Sequence, residues 1–367
     1  MTVDNQMKDS CHAIGCCSQA EKIRKKGQHK WIIGKIETSE GIIPQVSTRL
    51  TMSDRVGSFK SRWGINRMNY KIDPGLYAVG SPDADSPVLV TANYKLTFDA
   101  VRKELSESHM WILVLDTKGI NVWCAAGKGT FGTQEIVRRL ESVKLHQVVS
   151  HRILILPQLG APGVCAGEIS KSTGFKVTYG PVKAKDIKEF IHSGLQATTA
   201  MRTVQFTIRD RAVLIPMQLV GSIKKTVIVF GILFVLNLFA AIPFGRIDFY
   251  AYMGAWVTGC VITPVLLPWI MGRSFAWKGW LLGLIWALVF HVLNGWLQTP
   301  AYSLVRAVGY MLVLPSISSF YAMNFTGSST YTSLSGVMKE MKIAVPIIIV
   351  STSIGMILLI LNTYMQL

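Results

Sequence analysis

The chain has 367 residues and carries 38 Lys and Arg against 21 Asp and Glu, which gives a formal charge of +17. Half of its residues are apolar and only 16% are charged, whereas soluble domains usually carry about 25% charged residues. This composition excludes an all-soluble globular protein, a disordered protein and a small disulfide-rich scaffold. From Ile223 to Leu367 there are only two acids, Asp248 and Glu340, so we expect a soluble part joined to a membrane part.

Residues 1–50 are polar and Lys-rich, and we expect a mobile N-terminal tail. Met1–Lys30 is polar and carries no apolar core, so a signal peptide is not expected. The tail contains Cys11-His12 and Cys16-Cys17. A soft-metal site is one interpretation. The spacing matches no zinc or iron–sulfur pattern, so incidental thiols in a disordered tail are the other.

Residues 51–222 alternate short apolar runs with amphipathic stretches, which predicts an α/β Rossmann-like domain with a mostly parallel sheet. Strands are predicted at Val88–Thr91, Trp111–Leu115, Arg152–Leu156 and Lys176–Tyr179, with two β-like runs at Thr203–Ile208 and Ala212–Ile215. Helices are predicted at Phe98–Leu105, from an N-cap at Thr133, near Cys165–Ser172 and at Ala184–His192.

The segment Thr117–Gly132 is the strongest candidate for a functional loop. It joins a predicted strand to a helix at the edge where such sheets bind ligands, and it is longer than the about 2–6 residues usual there. It holds Cys124 beside Trp123, followed by small residues and Lys128. A cation or helix N-terminus nearby would favour the thiolate, and a structural cysteine in a glycine-rich turn is the alternative interpretation.

Two nucleotide motifs are suggested in this loop, and both fail on context. Gly127-Lys-Gly-Thr-Phe-Gly132 spells G-x-G-x-x-G, but it does not follow a strand directly and no acid ends the next strand. A P-loop would need a glycine at the position of Val122 and Ser or Thr after Lys128. No nucleic-acid partner is expected either.

Residues 223–367 are predicted to form an all-α bundle of five transmembrane helices, because each apolar stretch approaches the roughly 20 residues needed to cross a bilayer. The stretches are Thr226–Ile242, Phe249–Ile270, Gly279–Leu297, Tyr302–Met323 and Ile343–Leu361. Lys and Arg cluster at alternate ends, which places the N-terminal domain in the cytoplasm and the C-terminus outside the cytoplasmic membrane. His291, Asn294 and Gln298 share one face of the third helix, as a polar path or as interhelical hydrogen bonds.

The stretch Asn121-Val-Trp-Cys-Ala-Ala-Gly-Lys128 resembles the signature of the mercury-methylating corrinoid protein (HgcA) family. The segments Tyr70–Gly80, Ser86–Arg102 and Ile112–Trp123 are similar to the cobamide-binding domain of corrinoid iron–sulfur proteins. The resemblance covers about residues 62–220, and five membrane helices also match the mercury-methylating family.

The resemblance implies a cobalamin-type corrinoid, with Cys124 as catalytic residue and lower axial ligand of cobalt. It also implies a set of cofactor-binding residues: Thr91, Ala92, Asn93, Asn121, Val122, Trp123, Cys124, Ala125, Ala126, Gly127 and Lys128. The ligand-edge rule adds Gln158–Ala161 and Tyr179–Pro181 as weaker candidates.

The activity implied is a methyltransferase that passes a methyl group from cobalt to Hg(II), forming methylmercury. The partners implied are a ferredoxin-like protein with two [4Fe–4S] clusters, as electron donor and Hg(II) donor, and a methyl donor protein of the folate pathway. Two other functions stay open. One is a membrane-anchored corrinoid methyl carrier with a different physiological acceptor. The other is a transporter or receptor with an α/β sensor domain, which the lack of intramembrane acids disfavours.

Overall fold

A computed structural model describes residues 29–238, 245–295, 303–325 and 334–365. The chain divides into two compact units. An α/β unit contains the chain up to Ser58 and Met68–Thr203, and a helical unit contains Phe59–Arg67 and Val204–Leu367. The prediction of an α/β domain followed by a helical part is confirmed in this form. The tail cysteines Cys11, Cys16 and Cys17 lie outside the described residues.

The α/β unit is built on one mixed sheet of seven strands in the order β1-β2-β3-β5-β4-β6-β7. The strands are β1 (Ile32–Thr38), β2 (Gly41–Val46), β3 (Gly75–Val79), β4 (Val88–Ala92), β5 (Met110–Leu115), β6 (Ile153–Leu156) and β7 (Lys176–Tyr179). β5, β4, β6 and β7 run parallel, whereas β1 pairs with β2 and β3 pairs with β5 in antiparallel fashion. The four predicted strands of the parallel part are confirmed.

The first strands differ from the prediction of a polar tail, because residues 32–46 form a hairpin. Alternate residues of β1 are exposed, including Lys35 and Glu37, so the strand lacks a continuous apolar run. Its register places Ile36 opposite Ile43, and Val46 of β2 is buried against the core. The hairpin lies at the edge of the sheet and is half-exposed, with charged residues on its outer face. Its sequence therefore resembles that of a polar tail.

The helices of the α/β unit cover both faces of the sheet. They are α1 (Met52–Arg62), α2 (Lys95–Arg102), α3 (Val122–Gly127), α4 (Thr133–Ser142), α5 (Leu145–Val148), α6 (Ala166–Thr173), α7 (Ile187–His192) and α8 (Thr199–Arg202). Phe98 and Phe190 pack on one face, and Ile136, Leu140 and Ile169 pack on the other. Every residue of β4 and β5 is buried, as expected for strands covered on both sides.

Two local predictions are wrong. The β-like runs at Thr203–Ile208 and Ala212–Ile215 are not strands, because a helix, α9 (Ile208–Ala212), begins there at a capping box. In this box the Thr207 hydroxyl accepts from the Asp210 N–H and the Asp210 carboxylate accepts from the Thr207 N–H. The N-cap of α4 is Gly132 rather than Thr133, whose hydroxyl instead accepts the Cys165 N–H at 2.8 Å.

Four buried charges tie α2 to α1 and to the end of the hairpin. The Lys95 Nζ lies 2.8 Å from Asp54 Oδ1 and 2.5 Å from Asp99 Oδ1. Arg102 reaches the same two carboxylates, at 2.9 Å to Asp54 and 2.7 Å to Asp99, and donates to the Ser47 carbonyl. Two cations and two anions balance, so the network carries no uncompensated buried charge. We call it the charge quartet.

Within the described residues, the helical unit contains five helical stretches that are long and apolar enough to cross a membrane by length and composition. Its remaining helices are α10 (Ile215–Leu238), α11 (Arg246–Val257), α12 (Thr263–Leu266), α13 (Phe275–Leu293), α14 (Leu304–Asn324) and α15 (Leu334–Met365). One turn of π-helix, Thr258–Ile262, joins α11 to α12. The five predicted stretches coincide with helices, the first of which begins at Ile215 rather than at 226.

Glycine allows α13 and α14 to approach closely. A Cβ at Gly283 would lie 2.7 Å from the Pro315 Cα, and one at Gly279 would lie 2.8 Å from the Ser318 carbonyl oxygen. Small residues at such crossings are typical of helix packing in membranes. His291 is buried in α13, and Asn294 ends the helix by donating to the Phe290 carbonyl at 2.8 Å. Gln298 lies outside the described residues, so the predicted polar path stays a prediction.

Candidate functional site

The carboxyl ends of four parallel strands meet at one edge of the sheet. Ala92 at the end of β4 pairs with Leu115 at the end of β5, and Leu156 of β6 pairs with Tyr179 of β7. From β4 the chain passes through α2 to β5, and from β6 it passes through α6 to β7. In the strand order β5-β4-β6-β7, these two connections run in opposite directions across the sheet. Such a reversal opens a crevice between adjacent strand ends, which is the usual ligand position in open α/β sheets.

Asn93 is a buried clamp at the end of β4. Its Oδ1 accepts the Thr117 N–H at 3.1 Å, the Thr117 hydroxyl at 2.9 Å and the Gly119 N–H at 3.0 Å. Its Nδ2 donates to Asp116 at 3.1 Å. Every one of these partners belongs to the segment that leaves β5. Asn93 thus fixes the start of the predicted functional loop, and its predicted contact with a cofactor stays a prediction.

Two carboxylates extend this clamp. Asp116 accepts from Lys118, with 2.7 Å between Lys118 Nζ and Asp116 Oδ2, and its N–H donates to Glu135 at 2.9 Å. Glu135 also pairs with Arg139 at 2.8 Å. Burial alone would raise the pKa of Asp116 and Glu135, but these hydrogen bonds and cations lower both below their ordinary values. Both side chains are therefore ionised at neutral pH, and they join the loop to α4.

The loop is not irregular throughout, because it contains α3. Asn121 is the N-cap of this helix, and its Oδ1 accepts the Cys124 N–H at 2.9 Å. Asparagine is a favoured N-cap because its side chain can satisfy one of the free N–H groups of the first turn. The predicted long loop is thus a short connection, a helix of one and a half turns and a glycine turn. The Asn121 side chain fixes the backbone of Cys124.

The two faces of α3 differ sharply. Val122, Ala125 and Ala126 are buried and belong to the core. Trp123 and Cys124 are half-buried, and Gly127 and Lys128 are exposed. The outer face of α3 therefore presents one thiol beside an indole, a glycine and an ammonium group.

A close contact between backbones holds α3 over the crevice. α3 packs against β4 and against the two-turn 3-10 helix Gln158–Gly163 that follows β6. A Cβ at Gly163 would lie 2.3 Å from the Phe131 carbonyl oxygen and 3.0 Å from the Ala126 Cα. Only glycine fits here without moving α3. The predicted ligand-edge segment Gln158–Ala161 thus lies beside α3, and no local pattern predicted the role of Gly163.

Thr91 and Ala92 lie beneath this layer, at the end of β4. Both are buried, and the Thr91 hydroxyl has no hydrogen-bond partner within the described part of the chain. An unpaired buried hydroxyl costs about 1–3 kcal/mol, so a polar partner at this strand end would offset that cost. β4 and α3 are in contact, which brings the end of β4 close to the predicted α3 residues. Thr91, Ala92 and Asn93 are buried, whereas the outer face of α3 is accessible.

Glycine leaves open space at the outer end of α3. At Gly127 and at Gly129 an added Cβ would find no atom within 4 Å. Gly129 has a positive φ of 76°, which lets the chain turn back toward Phe131. This open space would let a large flat ligand approach the backbone beside Cys124, where the sequence places the small residues Ala125, Ala126 and Gly127. Of these three residues, only Gly127 is exposed.

The donor set at Cys124 suits a metal that brings its own ligands. Among the described residues, no three His, Cys, Asp or Glu side chains come together in a way that could hold a bare ion. A macrocycle-bound metal needs at most two axial ligands from outside, and one cysteine can supply one of them. The residues present at α3 fit a corrinoid in this respect and do not fit a chelated ion.

Comparison with known proteins identifies relatives of the segment that carries this site. Residues 66–191 match the family described as CO dehydrogenase/acetyl-CoA synthase delta subunit. The corrinoid/iron–sulfur protein large subunit of Moorella thermoacetica is 31% identical over 127 residues, 34% of this chain and 28% of the relative. This part of the chain is similar to corrinoid/iron–sulfur protein large subunits.

Archaeal relatives agree. The gamma subunit of the acetyl-CoA decarbonylase/synthase complex of Methanopyrus kandleri is 33% identical over 123 residues, 33% of this chain and 26% of the relative. That of Archaeoglobus fulgidus is 34% identical over 127 residues, 34% of this chain and 27% of the relative. The chain spans about a quarter of the length of these curated relatives. The family match includes β3 to β7 and α3, and it leaves out the hairpin and the helical unit.

Proposed function

We propose that this protein is a membrane-anchored, corrinoid-dependent methyltransferase whose acceptor is Hg(II), so that its product is methylmercury. One observation carries the proposal. Cys124 lies on the outer face of a helix at the ligand edge, in a domain similar to corrinoid/iron–sulfur protein large subunits. The Rossmann-like character of the sheet and the resemblance of the segment 121–128 to mercury-methylating corrinoid proteins support it.

Cys124 would hold the cofactor as the lower axial ligand of cobalt. When bound, a corrinoid supplies a cobalt centre that carries a methyl group and can release it. Axial-ligand identity shifts the redox potential of haem over about 0.8 V. By analogy, a thiolate ligand would strongly change the redox potential of a corrinoid. Asn121 holds the Cys124 backbone, and the open backbone at Gly127 gives the ring room. Trp123 and Lys128 would complete the contact surface.

The buried members of the predicted site have a supporting role in this account. Val122, Ala125 and Ala126 anchor α3 in the core, and Asn93 fixes the segment that precedes it. Thr91 would offer its unpaired hydroxyl at the strand end, next to Ala92. These residues set the position of Cys124, whereas the outer residues touch the ligand.

Hg(II) is an electrophile and must receive the methyl group together with electron density. The Cys124 thiolate would favour such a transfer, because a thiolate ligand donates electron density to the metal that it holds. Regeneration needs a low-potential electron donor, for which we propose a ferredoxin-like protein with two [4Fe–4S] clusters that also delivers Hg(II). A methyl donor protein of the folate pathway would supply the methyl group.

The five apolar helices would anchor the protein in the cytoplasmic membrane. Lys224, Lys225, Arg273, Lys339 and Lys342 mark the cytoplasmic ends of the spans under the positive-inside rule. The α/β unit then lies in the cytoplasm, where thiols stay reduced. A reduced Cys124 is what the proposed cobalt ligation requires.

A single-turnover assay tests the proposal. The purified full chain is loaded with methylcobalamin, Hg(II) is added without oxygen, and methylmercury is measured by mass spectrometry. We expect up to one methylmercury per protein, none with Cys124→Ala, and an unchanged yield with Cys165→Ala, a matched exposed cysteine at the start of α6. Full activity of Cys124→Ala would refute the mechanism.

A second function is favoured by the relatives, which are subunits of acetyl-CoA decarbonylase/synthase complexes by name. The protein would then be a membrane-anchored methyl carrier with another acceptor, and no residue at α3 identifies that acceptor. Binding of corrinoid through Cys124 without methylmercury formation would favour this alternative.

A further inference from the structure

Helix α1 has its polar and apolar faces reversed for a helix in water. Asp54 and Ser61 are buried, and Asp54 joins the charge quartet. Met52, Val56 and Phe59 project outward, with exposed fractions of 73%, 45% and 60%. A surface helix normally turns its apolar stripe inward, so this exposed stripe needs an apolar environment outside the protein.

Basic residues flank the same stripe. Arg55 and Lys60 are exposed on either side of it, and the acid of the helix, Asp54, points inward. Beyond the helix, Ile65 and Met68 are also exposed, with exposed fractions of 56% and 60%. A helix with apolar residues on one face and bases beside them is the pattern of a helix that lies in a membrane interface. We call Met52, Val56 and Phe59 the outer face of α1.

The segment that follows α1 contacts the first apolar helix of the helical unit. Phe59–Arg67 belongs to the helical unit, and a Cβ at Gly64 would lie 3.7 Å from the Val220 Cγ1. Val220 precedes Lys224 by four residues, which is about 6 Å along a helix. Lys224 and Lys225 mark the cytoplasmic boundary of the proposed span. Interfacial helices bury their apolar face about 5–10 Å into the boundary between headgroups and acyl chains, so the membrane surface is within reach.

We infer that the outer face of α1 is inserted in the cytoplasmic headgroup layer, with Arg55 and Lys60 contacting anionic lipids. The inference rests on the membrane anchoring in the proposed function and is independent of the corrinoid and of mercury. It adds a second membrane contact, made by the surface of α1, to the five spans.

Site-specific photo-crosslinking tests the inference. Benzoylphenylalanine is placed at Val56 in the full chain, which is reconstituted in nanodiscs of phosphatidylcholine and phosphatidylglycerol. Two matched positions serve as controls: Ile349, exposed on the apolar α15, and Glu141, exposed on α4. After illumination, mass spectrometry identifies the adducts. We expect lipid adducts at Val56 and Ile349 and none at Glu141, and a several-fold lower yield at Val56 when phosphatidylcholine replaces phosphatidylglycerol.

The outcomes distinguish failure of the α1 membrane contact from failure of the membrane anchoring by the five helices. Lipid adducts at Ile349 without any at Val56 would overturn the inference and leave the membrane anchoring intact. Adducts between Val56 and a protein would also overturn it, since the surface would then be a protein-docking site. The absence of lipid adducts at Ile349 would refute the membrane anchoring itself. An unchanged yield at Val56 in neutral lipid would refute the contact of Arg55 and Lys60 with anionic lipids.

Discussion

Asn93 shows how one buried side chain can fix the chain segment that leads to a candidate site. It satisfies two N–H groups and one hydroxyl of the segment after β5. We predict that Asn93→Ala lowers the free energy of unfolding by about 2–4 kcal/mol, because each stranded buried polar group costs about 1–3 kcal/mol. We also expect at least tenfold weaker cobalamin binding, measured by absorbance titration.

The matched control for Asn93 is Gln147→Ala, an exposed amide. We expect that variant to have the same midpoint temperature of thermal unfolding as the native protein and to bind cobalamin with the same affinity. Native binding and stability in Asn93→Ala would contradict the role of the clamp.

The sequence allowed the residue types at α3 to be predicted, but not their division into two faces. The motif indicated Cys124 and its neighbours as a group. The burial of Val122, Ala125 and Ala126 depends on where α3 packs, and that is set by Gly163, 39 positions from Cys124. The Asn121 N-cap was a local signal that could have identified α3.

At the scale of elements, Gly163 determines the position of α3. We predict that Gly163→Ala displaces α3 and weakens cobalamin binding at least tenfold, because the new Cβ would meet backbone atoms on both sides. Gly167→Ala in α6 is the control, since a Cβ there would find no atom within 4 Å. Equal binding by the two variants would show that the close contact does not position the site.

The charge quartet holds α1, α2 and the hairpin together. Burial alone would raise the pKa of Asp54, but hydrogen bonds from Lys95 and Thr51 hold it well below its ordinary value. A depressed carboxyl pKa contributes stability above the unfolded pKa of about 3.9 and loses it as the pH falls toward the folded pKa. The four charges come from positions as far apart as Asp54 and Arg102, so no local pattern predicted their meeting.

We therefore predict that Asp54→Asn lowers the free energy of unfolding at pH 7 by about 3–5 kcal/mol, the usual cost of breaking a buried ion pair. The difference from the native protein should shrink below pH 4, where the native carboxylate loses its contribution. Thermal unfolding across pH 3–8 measures this effect, with the exposed Glu141→Gln as control. A difference in the free energy of unfolding that stays constant with pH would contradict the stabilising role of the ionised Asp54 carboxylate.

At the scale of the whole molecule, elements with continuous apolar sequence could be predicted, whereas elements that mix apolar and charged residues could not. Apolar runs identified β4, β5 and β6, and the five apolar stretches coincide with helices. The hairpin was missed because half of β1 faces outward with charged side chains. The two runs predicted as strands near residues 203–215 are not strands, and a capping box formed by Thr207 and Asp210 begins a helix at Ile208.

If all five apolar helices span the membrane as proposed, the α/β unit and Leu367 lie on opposite sides of it. We predict that alkaline phosphatase, which is active only outside the cytoplasm, is active when fused after Leu367. It should be inactive when fused after Met271, between α12 and α13, where Arg273 and Lys278 mark the cytoplasmic side. The reverse pattern of activity would contradict the orientation and the reducing surroundings proposed for Cys124.

The most direct test of the central claim is the cobalt content and visible spectrum of the full chain purified without oxygen. We compare the native protein with Cys124→Ala and with Cys165→Ala. The account predicts near-stoichiometric cobalt in the native protein and in Cys165→Ala, and a corrinoid spectrum that changes only in Cys124→Ala. No cobalt and no uptake of added cobalamin, or a spectrum that is unchanged in Cys124→Ala, would contradict it.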